Sequence, residues 1–344
     1  MAFETDHDFL NAKLHGMRST LIEGDKLLRN LDKAEDEIAS GYGTILPSPD
    51  ASTNRLMLEK VLLERDILIF KKIHKFLSPE DRLVVELFYE EIYLDNLMVV
   101  FKFWHRKQEV PIAEFIVHIP GKKPIPLERL LSADSISEFA RFIGDKVYTD
   151  LFLLASKYYK AGGDTFKFVT YLDTLHFNHF YKLVKARFKF DEEEFNAVLN
   201  TIYNVANLIS ALRLREIYQC SWEDTRDLFC QHLGSLSANF LKDIYELSTR
   251  AEFIKALPSP YKNLLIGREN ETISDIEAVL NSYSYTIISK RFYTTSNCLV
   301  RILCFIFLKK FETKNLITIS EGKRLNVERY DILKSLIPSM TSQL

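Results

Sequence analysis

The sequence predicts an all-α protein built from long helices. Apolar residues recur at helical spacing along most of the 344-residue chain, only 11 glycines and 10 prolines interrupt it, and no convincing strand alternation is bounded by hairpin turns. The helix breakers cluster in SGYGTILPSPDAST (40–53), IPGKKPIP (119–126), AGGD (161–164) and LPSPY (257–261), which read as linkers.

In chain order, HDFLNAKLHGMRSTLI reads as an N-terminal helix. Glu4, Asp6 and Asp8 stand where a secretion signal would need positive charge and then an apolar run, so secretion is not expected. In LEKVLLERDILIFKKIHKFL, Leu58, Val61, Leu62, Ile69, Ile73 and Phe76 share one stripe, while Glu59, Lys60, Glu64, Lys71 and Lys72 occupy the rest, as in an amphipathic surface helix. RLVVELFYEEIYLDNLMVVFKFWHR is apolar around most of its circumference and must be packed on several sides. Ser78-Pro79-Glu80-Asp81 before it predicts a serine N-cap, proline at the first helical position and acids in the first turn. The acids Asp191 to Glu194 read as a helix start, where the helix dipole favours negative charge. CLVRILCFIFL (298–308) is 11 residues with Arg301 inside, against the ~20 apolar residues of a membrane span. It is expected to be a buried core helix, and no direct membrane span is expected.

Composition narrows the function classes. A chain 47% hydrophobic and 27% charged is neither disordered nor fibrous. Its 45 basic and 47 acidic side chains give a net charge of −2, without the positive excess that nucleic acid requires, so nucleic acid is not an expected partner. Cys220, Cys230, Cys298 and Cys304 lack CxxC spacing and are expected to be reduced thiols rather than a disulfide framework or zinc site.

The motifs of common chemistries are missing. There is no P-loop, GxSxG or HExxH; Gly322-Lys323 has no glycine-rich loop before it, and Gly41 and Gly43 follow no strand. His176 and His179 are one helical turn apart with Asp173 as a possible third ligand, but Leu175, Phe177 and Phe180 surround them and favour a structural role. No catalytic residue, cofactor or metal is expected. An enzyme would need a deep polar pocket with convergent titratable groups.

One pattern recurs. Segments beginning Asn-Leu start at Asn96, Asn207 and Asn315, with Lys102, Arg213 or Glu321 six residues later, basic or aromatic residues at +8 to +10, and then a short capped helix. The flanks of the first two copies are collinear. The spacings, 111 and 108 residues, far exceed the ~20–50 residues of solenoid repeats. The expected organisation is an N-terminal helix and linker (1–50) and three similar helical domains (54–160, 165–260, 270–344). Only 29 residues follow Asn315, so the N-terminal helix is expected to pack on the last domain and complete it. A buried amide left unpaired costs ~1–3 kcal/mol. Two compatible readings follow: each asparagine bonds backbone at the junction to the next helix, or the three junctions face a pseudo-threefold axis where a partner binds. Asn196, Asn200 and Asn204 have no such counterparts and read as a solvated face.

These residues resemble the C-type subunit of the V-type and archaeal-type rotary ATPases, the equivalent of the eukaryotic d-type subunit. DFLNAKLHGMRSTLI (8–22) resembles the family's opening pattern, the Asn207 segment its D-x-x-N-L-x-x-L-x-R-x-K element, and FETKNLITISEGKRLNVERYDI its closing element, with Glu312, Asn315, Leu316, Gly322, Lys323 and Glu328 in register. The chain departs from the pattern at Asn204 and Tyr93, three residues before the second and first asparagines, and at Glu321. The resemblance implies a funnel of three helical domains about a pseudo-threefold axis, with no catalytic residues. It implies that the funnel seats the tip of the central stalk, with D- and F-type rotor subunits and the membrane proteolipid ring as partners, on the cytoplasmic face of the membrane as a peripheral part of the complex. Lys102, Arg213, Arg215, Lys323 and Arg324 are the candidate stalk contacts. The competing expectation is a helical scaffold or adaptor with other protein partners.

Overall fold

The computed structural model describes residues 7–32, 51–187, 192–230 and 234–340, and among the described residues there is no β-strand. In chain order the helices are α1 (His7–Ser19), α2 (Asp25–Asp32), α3 (Ala51–His74), α4 (Leu83–Arg106), α5 (Leu127–Leu131), α6 (Ile136–Phe142), α7 (Lys146–Ala155) and α8 (Phe166–Arg187). There follow α9 (Glu192–Leu212), α10 (Trp222–Thr225), α11 (Ala238–Tyr245), α12 (Arg250–Ala256), α13 (Ser259–Leu265), α14 (Ile273–Thr294), α15 (Cys298–Arg324) and α16 (Arg329–Ser335). Residues 51–187 form one compact unit, and residues 7–32 with 192–340 form another. The boundary therefore falls inside the stretch 165–260, because α8 packs on α7 and α4.

The first unit is organised around α4. Its apolar circumference is covered by α3, α5 and α8. Phe101 is fully buried and meets Phe139 of α6, Phe152 of α7 and Phe168 of α8 at ring separations of 5.9, 6.4 and 4.6 Å. Such aromatic pairs each contribute about 0.5–1.5 kcal/mol beyond their buried area. The buried residues of α3 are Leu58, Leu62, Asp66, Ile67, Phe70 and Ile73, whereas Val61, Ile69 and Phe76 are not buried. The stripe is thus offset from the expected one, because Asp66 lies in its middle and an apolar count steps around an acid. Ser78 also differs from expectation. Its Oγ accepts from the Asp81 N–H at 3.2 Å and donates to the Asp81 carboxylate at 2.8 Å, closing a separate turn, while α4 itself begins at Leu83 with Arg82 as N-cap.

The linkers 119–126 and 161–164 are non-helical, whereas Ser259 of LPSPY already starts α13, with Pro260 in its first turn. Of the linker 40–53, residues 40–50 lie outside the described residues, as do Gly41 and Gly43, and α3 begins at Ala51. Glu192 starts α9; Asp191, like Glu4 and Asp6, lies outside the described residues.

The second unit is organised around α15, on which α1, α2, α9, α14 and α16 all pack. Its first turns hold the 298–308 stretch in the core. Arg301, 6% exposed, is satisfied there by the carbonyls of Phe292 and Thr295 and by the Asn11 side chain of α1. From α1, Arg18 donates to Tyr285 and Ser289 of α14 at 3.4 and 3.3 Å. The Ile22 N–H donates to the Glu312 carboxylate at 2.7 Å, and Asp32 of α2 pairs with Arg329 of α16. Gly322 admits α16, because a Cβ there would meet Ile332 Cγ1 at 2.6 Å. The four cysteines are free thiols. No described helix is long and apolar enough to cross a membrane.

Lys309 and Glu312, each with a side chain 2% exposed, form an ion pair inside this core. Removing one partner of such a pair leaves the other charge buried and costs about 3–5 kcal/mol. Glu312→Ala is expected to lose that much in urea unfolding, and to loosen the Ile22 amide in hydrogen exchange. A loss below ~1 kcal/mol, the scale of an exposed pair, would show that the pair does not behave as a buried one.

Candidate functional site

The residues that recur in the sequence form three copies of one device. Asn96 on α4 is 3% exposed; its Nδ2 donates to the Val117 carbonyl at 2.8 Å and its Oδ1 accepts from the Val117 N–H at 2.9 Å. Asn207 on α9 does the same to Cys230, at 3.2 and 2.8 Å. Asn315 on α15 does the same to Ile337, at 2.6 and 2.8 Å. Each amide thus holds both backbone groups of one residue 21, 23 or 22 positions downstream. A side-chain amide presents the same donor and acceptor as a peptide edge, so the pairing satisfies all four groups at once.

Beyond each clamp the helix ends in the same way. Lys107, Gln219 and Asn326 take left-handed φ values of 52°, 49° and 53°, a region that residues other than glycine seldom enter. In the first and third copies, the next N–H reaches back to close a Schellman-type stop: Gln108 to the Phe103 carbonyl at 3.1 Å and Val327 to the Gly322 carbonyl at 2.8 Å. The second copy has one extra residue before its stop. A π-helical turn, Arg213–Ile217, absorbs it, with the Tyr218 N–H bonding the Arg213 carbonyl at 3.1 Å.

Position +8 from the asparagine ties the helix end to the next capped helix. In the first copy, Trp104 Nε1 donates to the Ala133 carbonyl at 2.7 Å, and its ring lies 5.0 Å from that of Phe139. In the second, Arg215 Nη1 donates to the Leu247 carbonyl at 3.4 Å and its guanidinium lies 5.2 Å from the Phe253 ring. Ala133 and Leu247 each stand two residues before the cap of the following helix, Ser135 of α6 and Thr249 of α12. An indole and a guanidinium therefore do one job, since both offer a planar N–H donor and a face for an aromatic ring. A cleft of 1360 Å³ borders this joint in the first unit, lined by Trp104, Lys107, Ser132 and Tyr159 among others, and one of 620 Å³ borders it in the second, lined by Arg215, Trp222, Ser248 and Arg250.

The five basic residues singled out from sequence are differently placed. Lys102 is exposed. Arg213 donates through Nε and Nη2 to both carboxylate oxygens of Glu277 on α14, the second at 2.6 Å. Arg215 has a side chain 15% exposed and bonds Glu216 at 3.1 Å. Arg324 pairs with Glu321 at 2.8 Å, and Lys323 is half-buried. Asn204 overturns the expectation of a solvated face. It is 4% exposed, donates to Ser235 and Tyr261 at 2.8 and 3.2 Å, and accepts from the backbone N–H groups of Ser235 and Leu236. Asn196 and Asn200 are half-buried.

The titratable groups of the first unit form no metal site; among the described residues no group of three or more His, Cys, Asp or Glu could hold one. His176, 1% exposed, packs against the rings of Tyr148 and Phe180 at 5.9 and 4.5 Å, and His179 against Phe180 at 5.0 Å. Tyr148 donates to the Glu90 carboxylate at 2.8 Å, and burial first, then Glu90, pushes its hydroxyl pKa upward. Desolvation pushes the Asp173 carboxyl up to about 7, with Lys102 pulling it down and Glu91 pushing it up.

The clamps give a direct test. Asn207→Ala deletes two bonds and leaves a buried N–H and C=O unpaired, at a cost of about 1–3 kcal/mol for each unsatisfied group. The expected result is a lower unfolding midpoint and faster hydrogen exchange at Cys230. Asn207→Asp, which still accepts but no longer donates, is expected to protect the Cys230 amide better than the alanine variant does. Equal exchange in all three proteins would mean that the clamp does not hold the junction.

No curated protein matches the chain. A family model described as ATP synthase (C/AC39) subunit matches residues 10–335, which takes in all three clamp asparagines. The chain belongs to the ATP synthase (C/AC39) subunit family.

Proposed function

We propose that the chain is a non-catalytic central-rotor subunit of a V-type rotary ATPase, a socket that couples the central stalk to the membrane proteolipid ring for H+ or Na+ transport. The observation that carries this reading is the triple clamp, in a chain that matches the family along nearly its whole length. It supports three equivalent helical repeats, proposed as 54–160, 165–260 and 270–344, although α8 of the second interval packs in the first unit; their setting as a funnel about a pseudo-threefold axis is what the family resemblance implies. The contacts of α1 and α2 with α15 support the N-terminal segment as the part that completes the third domain. The protein sits peripherally on the cytoplasmic face of the membrane, with the stalk on one side and the ring on the other.

The work of such a socket is mechanical. Torque passes through it only to the extent that the helices resist bending and sliding, which close packing provides. A clamp on each long helix fixes the segment that follows and keeps the junctions from hinging. Of the five candidate stalk contacts, Lys102 has an exposed side chain. Arg213, Arg215 and Arg324 are engaged by Glu277, Glu216 and Glu321, so reversing their charge would set like charges against each other within the chain.

The test is co-purification. With the full-length tagged chain as bait in a detergent-solubilised membrane fraction, stalk and proteolipid subunits of a rotary ATPase are expected to be recovered. Recovery of an unrelated complex in their place would sink the reading in favour of a helical adaptor. Lys102→Gln is expected to lower stalk recovery several-fold at low salt, with the melting temperature measured alongside because Lys102 acts on the Asp173 carboxyl; unchanged recovery by a folded variant would remove Lys102 from the interface.

A further inference from the structure

Around its asparagine each clamp helix leaves a stripe of accessible positions, and the stripe falls at corresponding positions in the three helices. On α15, between Lys310 and Glu321, the residues not buried are Lys310, Lys314, Ile317, Thr318 and Glu321. They stand at −5, −1, +2, +3 and +6 from Asn315. On α9 and its π turn the same positions are Ile202, Ala206, Ile209, Ser210 and Arg213, and none of them is buried. On α4, Glu91, Asp95, Val99 and Lys102 are accessible at −5, −1, +3 and +6, while Met98 at +2 is buried. At −1 the residue is exposed in all three: Asp95, Ala206 and Lys314.

The chemistry of the stripe differs between the helices. In the second unit, where α9 and α15 pack on each other, it carries Arg213, Lys310 and Lys314, with Arg324 one turn beyond. Two acids beside them are Glu277 and Glu321. Both oxygens of Glu277 are taken by Arg213 and both of Glu321 by Arg324. Glu277 acts on Lys314 as well as on Arg213, so these two cations share one acid. Lys314 is exposed, yet desolvation by the surrounding protein lowers its ammonium pKa, with Glu277 opposing and Arg213 adding to the effect. An amine that solvent reaches but protein largely surrounds lies in a recess, not on a convex face.

We infer that the accessible stripe of α9 and α15 is a docking face for an acidic segment of a protein partner, whose carboxylates seat beside Lys314 and Arg213. A carboxylate there neutralises the positive excess, and the partner reaches it along the one side of α15 that the fold leaves uncovered. The inference rests on the proposed function in one respect, namely that the acidic segment belongs to the central stalk.

The test uses the full-length chain and the solubilised membrane fraction, at low and at raised salt, with wild type, Lys314→Glu, Lys314→Gln and, as control, Lys146→Glu, whose side chain is 89% exposed in the first unit. Stalk recovery is expected to fall at least fivefold for Lys314→Glu and less for Lys314→Gln, to be unchanged for the control, and to decline with salt in the wild type, as screening requires. Amine labelling of Lys314 in the wild type is expected to be blocked in the complex. Circular dichroism melts separate lost binding from lost folding. If Lys314→Glu is unfolded, the glutamine variant and the labelling decide. Wild-type recovery matched by a folded Lys314 variant, with Lys314 still labelled in the complex, overturns the docking face and leaves the proposed function standing. Wild type that recovers no stalk subunit overturns both.

Discussion

Each clamp asparagine sits well inside a long helix, in a place where water cannot reach, and holds both polar groups of one distant residue. That constraint fixes more than a contact. With both the N–H and the C=O of Val117, Cys230 or Ile337 taken, the downstream segment can neither slide along the helix by a residue nor turn over without losing two buried bonds. Asparagine suits the task because its amide has one donor side and one acceptor side on a short stem. Aspartate lacks the donor, and glutamine adds a methylene and a rotor. The buried amide offers little net stability over a leucine of similar size, but it selects one register and penalises every other.

Around that fixed point the three copies vary without losing the geometry. In the first two copies a tryptophan or an arginine fills the +8 position and reaches the equivalent carbonyl over the equivalent phenylalanine. A one-residue difference in helix length is taken up in a π turn rather than passed on to the stop at Gln219. Both adjustments lie between the clamp and the next capped helix, so the clamp separates what must be constant from what can drift.

Much of this is legible in the sequence, and the part that is not has a physical reason. Helical class follows from periodicity, and Asn96, Asn207 and Asn315 stand out by spacing alone. Their partners do not, because the partner is a peptide group, and valine, cysteine and isoleucine share no side-chain signature. Asn204 reads as solvated because a polar stripe looks the same whether it faces water or a buried loop; only the Ser235 and Tyr261 contacts decide it. Asp66 hides the true face of α3 for the converse reason. Arg213 and Arg215 look like free cations, since the acids that hold them, Glu277 on α14 and the adjacent Glu216, are recognised only once the helices are packed.

The clamp also bears on how a rigid helical protein can keep a binding face. A helix surrounded on every side is stiff but has nothing to offer a partner, whereas one exposed over half its surface can bind but relies on few neighbours to hold it straight. α15 takes an intermediate course: α1, α2, α9, α14 and α16 cover it, and a line about one side chain wide remains open. Such a line keeps its position only if the helix cannot rotate about its axis, because a turn of one residue, about 100°, would carry Lys314 into the core and bring buried Thr313 or Asn315 out. Asn315 lies next to Lys314 and is held at two points by Ile337, so the bond that closes the junction also fixes the rotation that keeps the stripe open.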